Sequence, residues 1–331
     1  MSTFRTVLKP QRAAFSIAHT DQILMLGSCF TESIGQRLSV CKYKTVLNPF
    51  GIVYNPVSIA TCLKRLLDGN RPFMAAELFQ HAGLWRSWEH HSRFAWPDRT
   101  DSLEAINTAY GQAADFLRES NRLVLTLGTA DVFLLSETGQ VVANNHKMPS
   151  SLFQAKRLSV ADITADLSEV LQQIHAQHPQ IQVILTVSPV RHLRNGLVEH
   201  QRSKASLLLA CEALCQQLPF VCYFPSYELL MDDLRDYRFY AADMVHPSET
   251  AIDYIWDFFG QTFFSSATQE LNLQLKKLHA AVNHRPFNPN TPEHRAFMQQ
   301  QWKGIASLQH QHPELDLEKE KAFFQDANLG G

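Results

Sequence analysis

The chain has 331 residues, 45% of them apolar and 19% charged, with a formal net charge of -2. That supports one large core with room for an appendage, and the near-balance of charge without a basic stripe argues against nucleic acid as a partner. No apolar run approaches the length of a membrane span, and the first ten residues lack the apolar centre of a signal peptide. Six cysteines (Cys29, Cys41, Cys62, Cys211, Cys215 and Cys222) lack disulfide-like spacing. The expected location is therefore a reducing cytoplasm, where a free thiol survives.

In chain order, Ile23–Leu26 is an apolar run that ends abruptly in Gly27-Ser28-Cys29. Ile34 and Leu38 follow at helical spacing, so a buried strand, a tight turn and a helix start are expected. Cys29 then falls at a strand end and a helix N-terminus, where backbone N–H groups favour a thiolate and a developing oxyanion. This predicts a thiol more acidic than free cysteine. Residues 70–98 are rich in Trp and His and read as an inserted hairpin or lid. Within them Glu89-His90-His91 is a poor metal site, because adjacent strand residues point to opposite faces; His91 is the better candidate for a substrate contact.

Leu123–Leu127 reads as a second strand, followed by a hairpin over 132–149 that turns at Glu137-Thr138-Gly139-Gln140. Ile163, Leu167, Val170, Leu171 and Ile174 form a helical stripe. Val183–Val187 is a third strand, a helix runs through Ser206–Leu218, and Phe220–Phe224 is a fourth strand. Cys211 and Cys215 suit a packed helix face; Arg202 and Lys204 are expected on a solvated one. Asp243-Met244-Val245-His246 then places a carboxylate three residues before a histidine, able to fix the ring's tautomer and leave its other nitrogen as a base. Ser248 is the expected N-cap of a helix over Glu249–Phe264. The remainder is helical and more polar, broken once near residues 284–289, and its final stretch, Glu314–Gln325, reads as a charged, loosely attached helix.

Strands apolar at nearly every position and alternating with helices indicate a parallel sheet of about five strands covered on both faces. Ligands bind such sheets outside the carboxyl ends of the strands. Those ends carry Gly27-Ser28-Cys29, Gly128-Thr129-Ala130-Asp131, Ser188-Pro189-Val190-Arg191-His192 and Pro225-Ser226-Tyr227. Arg191 and His192 are candidates for an anionic substrate group, and Lys147 and Asn144 occupy a similar position.

Leu26-Gly27-Ser28-Cys29-Phe30-Thr31 resembles the motif that names the bacterial GSCFA family. The resemblance continues through Asn48–Pro56, Gly128-Thr129-Ala130, Val142–Lys147, Ser188–His192 and Asp236–Ser248. It implies an SGNH-hydrolase fold, a three-layer flavodoxin-like α/β sandwich with a parallel sheet, over residues 1–265 with inserts near 70–98 and 132–149. A helical extension over 266–331 would pack on it. The resemblance sets Cys29 at the place of the SGNH serine nucleophile, with Ser28 as a rival, Gly51 as the second-block glycine whose amide would hold the oxyanion together with that of Cys29, and Asp243 and His246 in the last block. Two departures stand out. The nucleophile is a thiol, and Ala130 replaces the third-block asparagine, an oxyanion donor of a kind that contributes roughly 3–4 kcal/mol. Asn144 or Asn145 is the expected substitute, Asn145 standing where the family commonly has cysteine.

The expected activity is hydrolysis or acyl transfer on an ester, thioester or amide of a small molecule or glycan. It would need no metal or organic cofactor. The competing reading is a small-molecule or glycan-binding module on the same fold that has lost catalysis. The oligomeric state is left open.

Overall fold

The computed structural model describes residues 6–288 and 291–325. Its centre is a five-stranded, wholly parallel sheet. β1 (Gln22–Gly27) is flanked on one side by the edge strand β2 (Lys44–Leu47) and, after the two hairpin strands β3 (Leu78–His81) and β4 (Leu84–Ser87) in the chain, on the other by β5 (Arg122–Leu127). A small antiparallel sheet follows, made of β6 (Asp131–Leu135), β7 (Val141–Val142) and β8 (Phe153–Arg157). Then β9 (Gln182–Val187) pairs with β5, and β10 (Val221–Phe224) pairs with β9.

The ten α-helices among the described residues are α1 (Cys29–Val40), α2 (Pro56–Asp68), α3 (Arg99–Glu119), α4 (Val160–Gln177), α5 (Leu197–Gln217), the short α6 (Ser226–Glu228), α7 (Glu249–Phe263), α8 (Ser266–Asn283), α9 (Pro292–Gln311) and α10 (Glu318–Gln325). None is long and apolar enough to cross a membrane.

Alternate strand residues serve two separate cores, as the two-residue period of a strand requires. Leu24, Leu26, Leu123, Leu125, Val183 and Leu185 pack with residues of α2, α3, α4 and α5. Ile23, Met25, Val124, Ile184 and Phe224 pack with α1 and α7 through Phe30, Ile34, Leu38, Ile255 and Phe259. The continuous apolar strands are thus explained by burial on both faces. The four expected strands are present. The fifth, β2, escaped the sequence reading because it is a four-residue edge strand, exposed at Lys44 and only partly buried after it; it lacks the apolar run that marks the central strands.

The two inserts are antiparallel β structures. The 70–98 region carries the β3–β4 hairpin, turning at Ala82-Gly83. The expected 132–149 hairpin is real, but a third strand, β8, completes it outside the expected range. Polar residues Gln154, Lys156 and Arg157 hide β8 from a hydrophobic-pattern reading.

After α7, helices α8–α10 share a core of their own, including Leu275, Ile305, Leu317 and Phe324. It docks on the sheet domain through an Asn272 Nδ2 to Tyr43 Oη hydrogen bond of 3.1 Å and a Lys42–Glu320 ion pair of 2.6 Å. The last helix is therefore firmly seated rather than loosely attached, because Leu317 and Phe324 are fully buried despite the charged residues around them. Residues 326–331 and 1–5 of the expected domain ranges, and Pro289 of the break, lie outside the described residues.

Candidate functional site

Strand β1 ends at Gly27, and an added Cβ there would meet the Thr126 carbonyl oxygen at 2.5 Å. Only glycine lets the chain turn so close to β5. The next residue, Ser28, is the N-cap of α1. Its Oγ accepts from the Phe30 amide at 3.2 Å and donates to Ser188 Oγ at 2.9 Å. Ser28 is 1% exposed and both of its hydroxyl functions are occupied, so it builds the turn and is not a free nucleophile. Cys29 follows as the first residue of α1 and is partly exposed.

Burial pushes the Cys29 thiol up, and the Glu32 charge adds to this; the amides of Cys29 and Phe30, and the Lys204 ammonium, oppose it. The net direction is upward, contrary to the sequence expectation of an acidic thiol. The helix N-terminus acts as expected, but removal from water outweighs it.

The base candidate stands on a loop between Tyr240 and Pro247, which bridge antiparallel to each other. His246 Nδ1 and Asp243 Oδ2 are 2.7 Å apart, while Asp243 Oδ1 accepts from the amides of Val245 and His246 at 2.9 and 3.0 Å. The His246 amide and ring, with the Val245 amide, hold the Asp243 carboxyl at about 2. The carboxylate is thus ionised throughout the neutral range and fixes Nδ1 as the protonated nitrogen. The loop is tied to the chain after β9, since the Arg191 amide donates to the Val245 carbonyl at 3.1 Å. Because all five strands are parallel, the segments after β1 and β9 leave the same edge of the sheet. Cys29, Asp243 and His246 are therefore gathered at that edge.

Next to Val245 on that loop opens a cavity of about 370 Å³ whose lining includes Tyr54, Thr129, Asn144, Asn145, Arg191 and His192; Cys29, Asp243 and His246 do not line it. Arg191 lies 4.0 Å from the ring centroid of Tyr240 and 5.0 Å from that of Tyr237, and makes no ion pair among the described residues. His192 packs on Tyr54 and is held down to about 3, chiefly by burial, with the nearby Lys204 amine adding to this. Gly128, at the end of β5, is forced by this packing: a Cβ would sit 2.8 Å from Tyr54 Cβ and 3.1 Å from His192 Nε2.

Residues 22–259 match the GSCFA family, and residues 275–328 match the GSCFA domain protein, C-terminal domain. The chain belongs to the GSCFA family. No functionally curated protein matches it. One solved structure, "The structure of a putative platelet activating factor from Streptococcus pneumonia", is similar at 14% identity, covering 72% of this chain and 82% of that one, with a TM-score of 0.36; a likeness at that level carries no argument.

Several expected site residues of this GSCFA protein fall elsewhere. The Gly51 amide donates to the Asn48 carbonyl at 2.7 Å, which removes it from oxyanion duty in this conformation. His91 packs directly against Gly51, and its Nδ1 accepts from the Arg93 amide at 3.3 Å; it is outside the cavity lining. Lys147 is exposed and also outside it. Its neighbours are better placed. Asn144 donates through Nδ2 to Ser92 Oγ at 3.2 Å and accepts from the His146 amide at 2.8 Å, whereas Asn145 uses only its oxygen, on the Lys147 amide at 3.2 Å. The Asn145 side-chain nitrogen has no hydrogen-bond partner among the described residues. Ala130 is fully buried in the core, with its amide bonded to Ser203 Oγ at 2.8 Å, so its side chain occupies packed space.

The sequence reading missed one residue outright. Lys204 is not on a solvated face but is 1% exposed. The signal was present: His200, Lys204, Leu207, Cys211 and Leu214 recur at intervals of three and four, so Lys204 lies on the apolar stripe of α5. Reading the helix only from Ser206 onward left that stripe incomplete.

Proposed function

We propose that this protein is a hydrolase or acyltransferase of the SGNH type, acting on an ester, thioester or amide of a small molecule or glycan. What supports the proposal is that a partly exposed thiol at a helix N-terminus and an imidazole whose tautomer is set by a 2.7 Å bond to Asp243 both stand at the edge where the parallel strands end. On this reading the fold is the three-layer, flavodoxin-like sandwich of SGNH hydrolases over residues 1–265, with 266–331 as its helical extension, in a bacterial, cytoplasmic protein.

In the proposed reaction Cys29 Sγ attacks the acyl carbon while its proton passes to His246 Nε2. The carbonyl π electrons move onto oxygen, which the Cys29 amide and the Asn145 amide group stabilise. Collapse of the tetrahedral species breaks the bond to the leaving group, which takes the proton back from His246. Water or an acceptor hydroxyl then attacks the Cys29 thioester, again with His246 as base. Arg191 and His192, on the cavity wall, would receive the polar part of the substrate.

A second reading has specific support. Two family-type oxyanion donors are missing, since Ala130 is buried and the Gly51 amide is committed. That favours a binding module without turnover. Incubation with mixed activated esters and thioesters, followed by intact-mass analysis, separates the two. The enzyme reading expects an acyl adduct that maps to Cys29 and is lost in Cys29→Ala, with His246→Ala slowing its formation. Recovery of unaltered ligand without any adduct supports the binding module and rejects acyl transfer.

A further inference from the structure

The cavity beside Val245 is walled by segments that meet only in the folded chain. The loop after β9 supplies Arg191, His192 and Arg194, the small antiparallel sheet supplies Asp131 and Phe133, and the segment before α2 supplies Tyr54. Both guanidinium groups lie on aromatic rings rather than on carboxylates. Arg191 is 4.0 Å from the Tyr240 ring centroid, and Arg194 is 4.9 Å from that of Phe133. Neither makes an ion pair among the described residues. The polar neighbours of Arg191 are neutral, the Met244 carbonyl at 3.5 Å and the Tyr240 hydroxyl. A guanidinium carries five N–H donors, so most of this capacity is unspent.

The single carboxylate in the lining does not balance these charges. Arg157 donates from Nε to Asp131 Oδ1 at 2.7 Å and from Nη2 to Asp131 Oδ2 at 3.2 Å. The cavity therefore holds two uncompensated positive charges, in a chain whose net charge is -2. On the same wall, His192 Nε2 is buried without a hydrogen-bond partner among the described residues. An isolated surface arginine is ordinarily just solvated. Here two of them line one cavity, and each is stacked by its face, which leaves its N–H edge to meet the oxygens of an anion.

We infer that this cavity binds a phosphorylated small molecule, whose phosphate is received by Arg191 and Arg194. Two guanidinium charges match the dianion of a phosphate monoester, whereas a carboxylate calls for one. At about 370 Å³ the cavity is of small-molecule size, so the rest of the ligand lies against Tyr54 and Phe133. The inference deepens the proposed function and rests on it in one respect, that the ligand is the acyl substrate. Asn145, the proposed oxyanion donor, lines the same cavity, and Val245 in its wall directly precedes His246. The phosphate is an anchor and not the group that reacts.

Ligand-observed NMR on the full chain, with phenyl phosphate as probe, tests the site because it detects millimolar binding. Phenyl phosphate should saturate the wild type and bind at least about tenfold more tightly than benzyl alcohol. Its affinity should fall by about tenfold or more in Arg191→Met and in Arg194→Met. Arg118→Met, on α3 and outside the cavity, should bind as wild type does. Absence of saturation, or equal affinity in wild type and in the folded double variant Arg191→Met/Arg194→Met, overturns the inference. Benzoate held as tightly as phenyl phosphate would assign the pair to a carboxylate and overturn the phosphate. A competition in the wild type decides even where a variant does not fold. Inorganic phosphate should displace the probe, and chloride at equal ionic strength should not; equal displacement by both overturns the inference. Phosphate-dependent binding without any acyl adduct on Cys29 sustains the site while rejecting acyl transfer. An adduct without phosphate-dependent binding does the reverse.

Discussion

At the scale of single residues, the site turns on which groups have hydrogen-bonding capacity to spare. Ser28, Gly51 and Asn144 have theirs engaged by partners that shape loops, whereas Cys29 is partly exposed and the Asn145 side-chain nitrogen has no partner among the described residues. This separates two neighbours that sequence alone treats as equals. Asn145→Ala should lower turnover of any substrate that acylates Cys29 by about 10²–10³ with little change in KM. Asn144→Ala should act mainly on the turn that holds His146 and Lys147, both at positive φ, and so appear as a lower Tm. Equal losses of turnover in both variants would return the oxyanion to backbone amides. Lys204 gives a second test at this scale. Its amine is held at about 7 in the folded chain and near 10.4 in the unfolded one. Between those values the unfolded chain binds more protons, so folding stability from this group rises with pH, and it is lowest below 7. The stability of wild type minus that of Lys204→Met should therefore climb by on the order of 2 kcal/mol from pH 7 to pH 9 in urea melts. A flat difference would mean that the amine is not buried as described.

At the scale of elements, the site is made by close approach of chain segments at strand ends. Gly128 brings β5's exit against Tyr54 and His192, and the Gly128 amide donates to the Tyr54 carbonyl at 2.7 Å. Gly128→Ala should cost about 1–3 kcal/mol, because the new methyl meets Tyr54 Cβ rather than a flexible chain end. It should also shift the Tyr54–His192 stack that walls the cavity, so ligand affinity should fall with Tm. Unchanged thermal stability would show that the two loops part freely. These approaches were only half legible beforehand. The glycines and the polar strand ends stand out in the sequence. The partners they admit come from segments up to about 100 residues away and become neighbours only when β1, β5 and β9 align.

For the whole molecule, two apolar cores sandwich the sheet, and a third joins α8, α9 and α10. Phe324 anchors the last helix in that third core, where it is fully buried. Phe324→Ala should destabilise the C-terminal helices by about 3–5 kcal/mol. If the Lys42–Glu320 pair and the Tyr43–Asn272 bond couple them to the sheet domain, urea unfolding stays a single transition at a lower midpoint. Loss of helix signal ahead of the sheet domain would instead mark the extension as a separate folding unit.

The sequence by itself determined the parallel α/β class, four of the five central strands, the turn carrying Cys29 and the Asp243–His246 spacing. These features are local: apolar runs, helical stripes and caps arise from residues within a few positions of one another. Tertiary structure alone decided that Ser28 is spent on a cap, that the Gly51 amide is committed and that the Cys29 thiol is pushed up. It also decided that Lys204 is buried. Each depends on how much water is excluded from a group and on which distant donor or acceptor reaches it. Those quantities exist only once the strands are side by side, because burial and hydrogen-bond partners belong to the assembled sheet edge and not to any one segment.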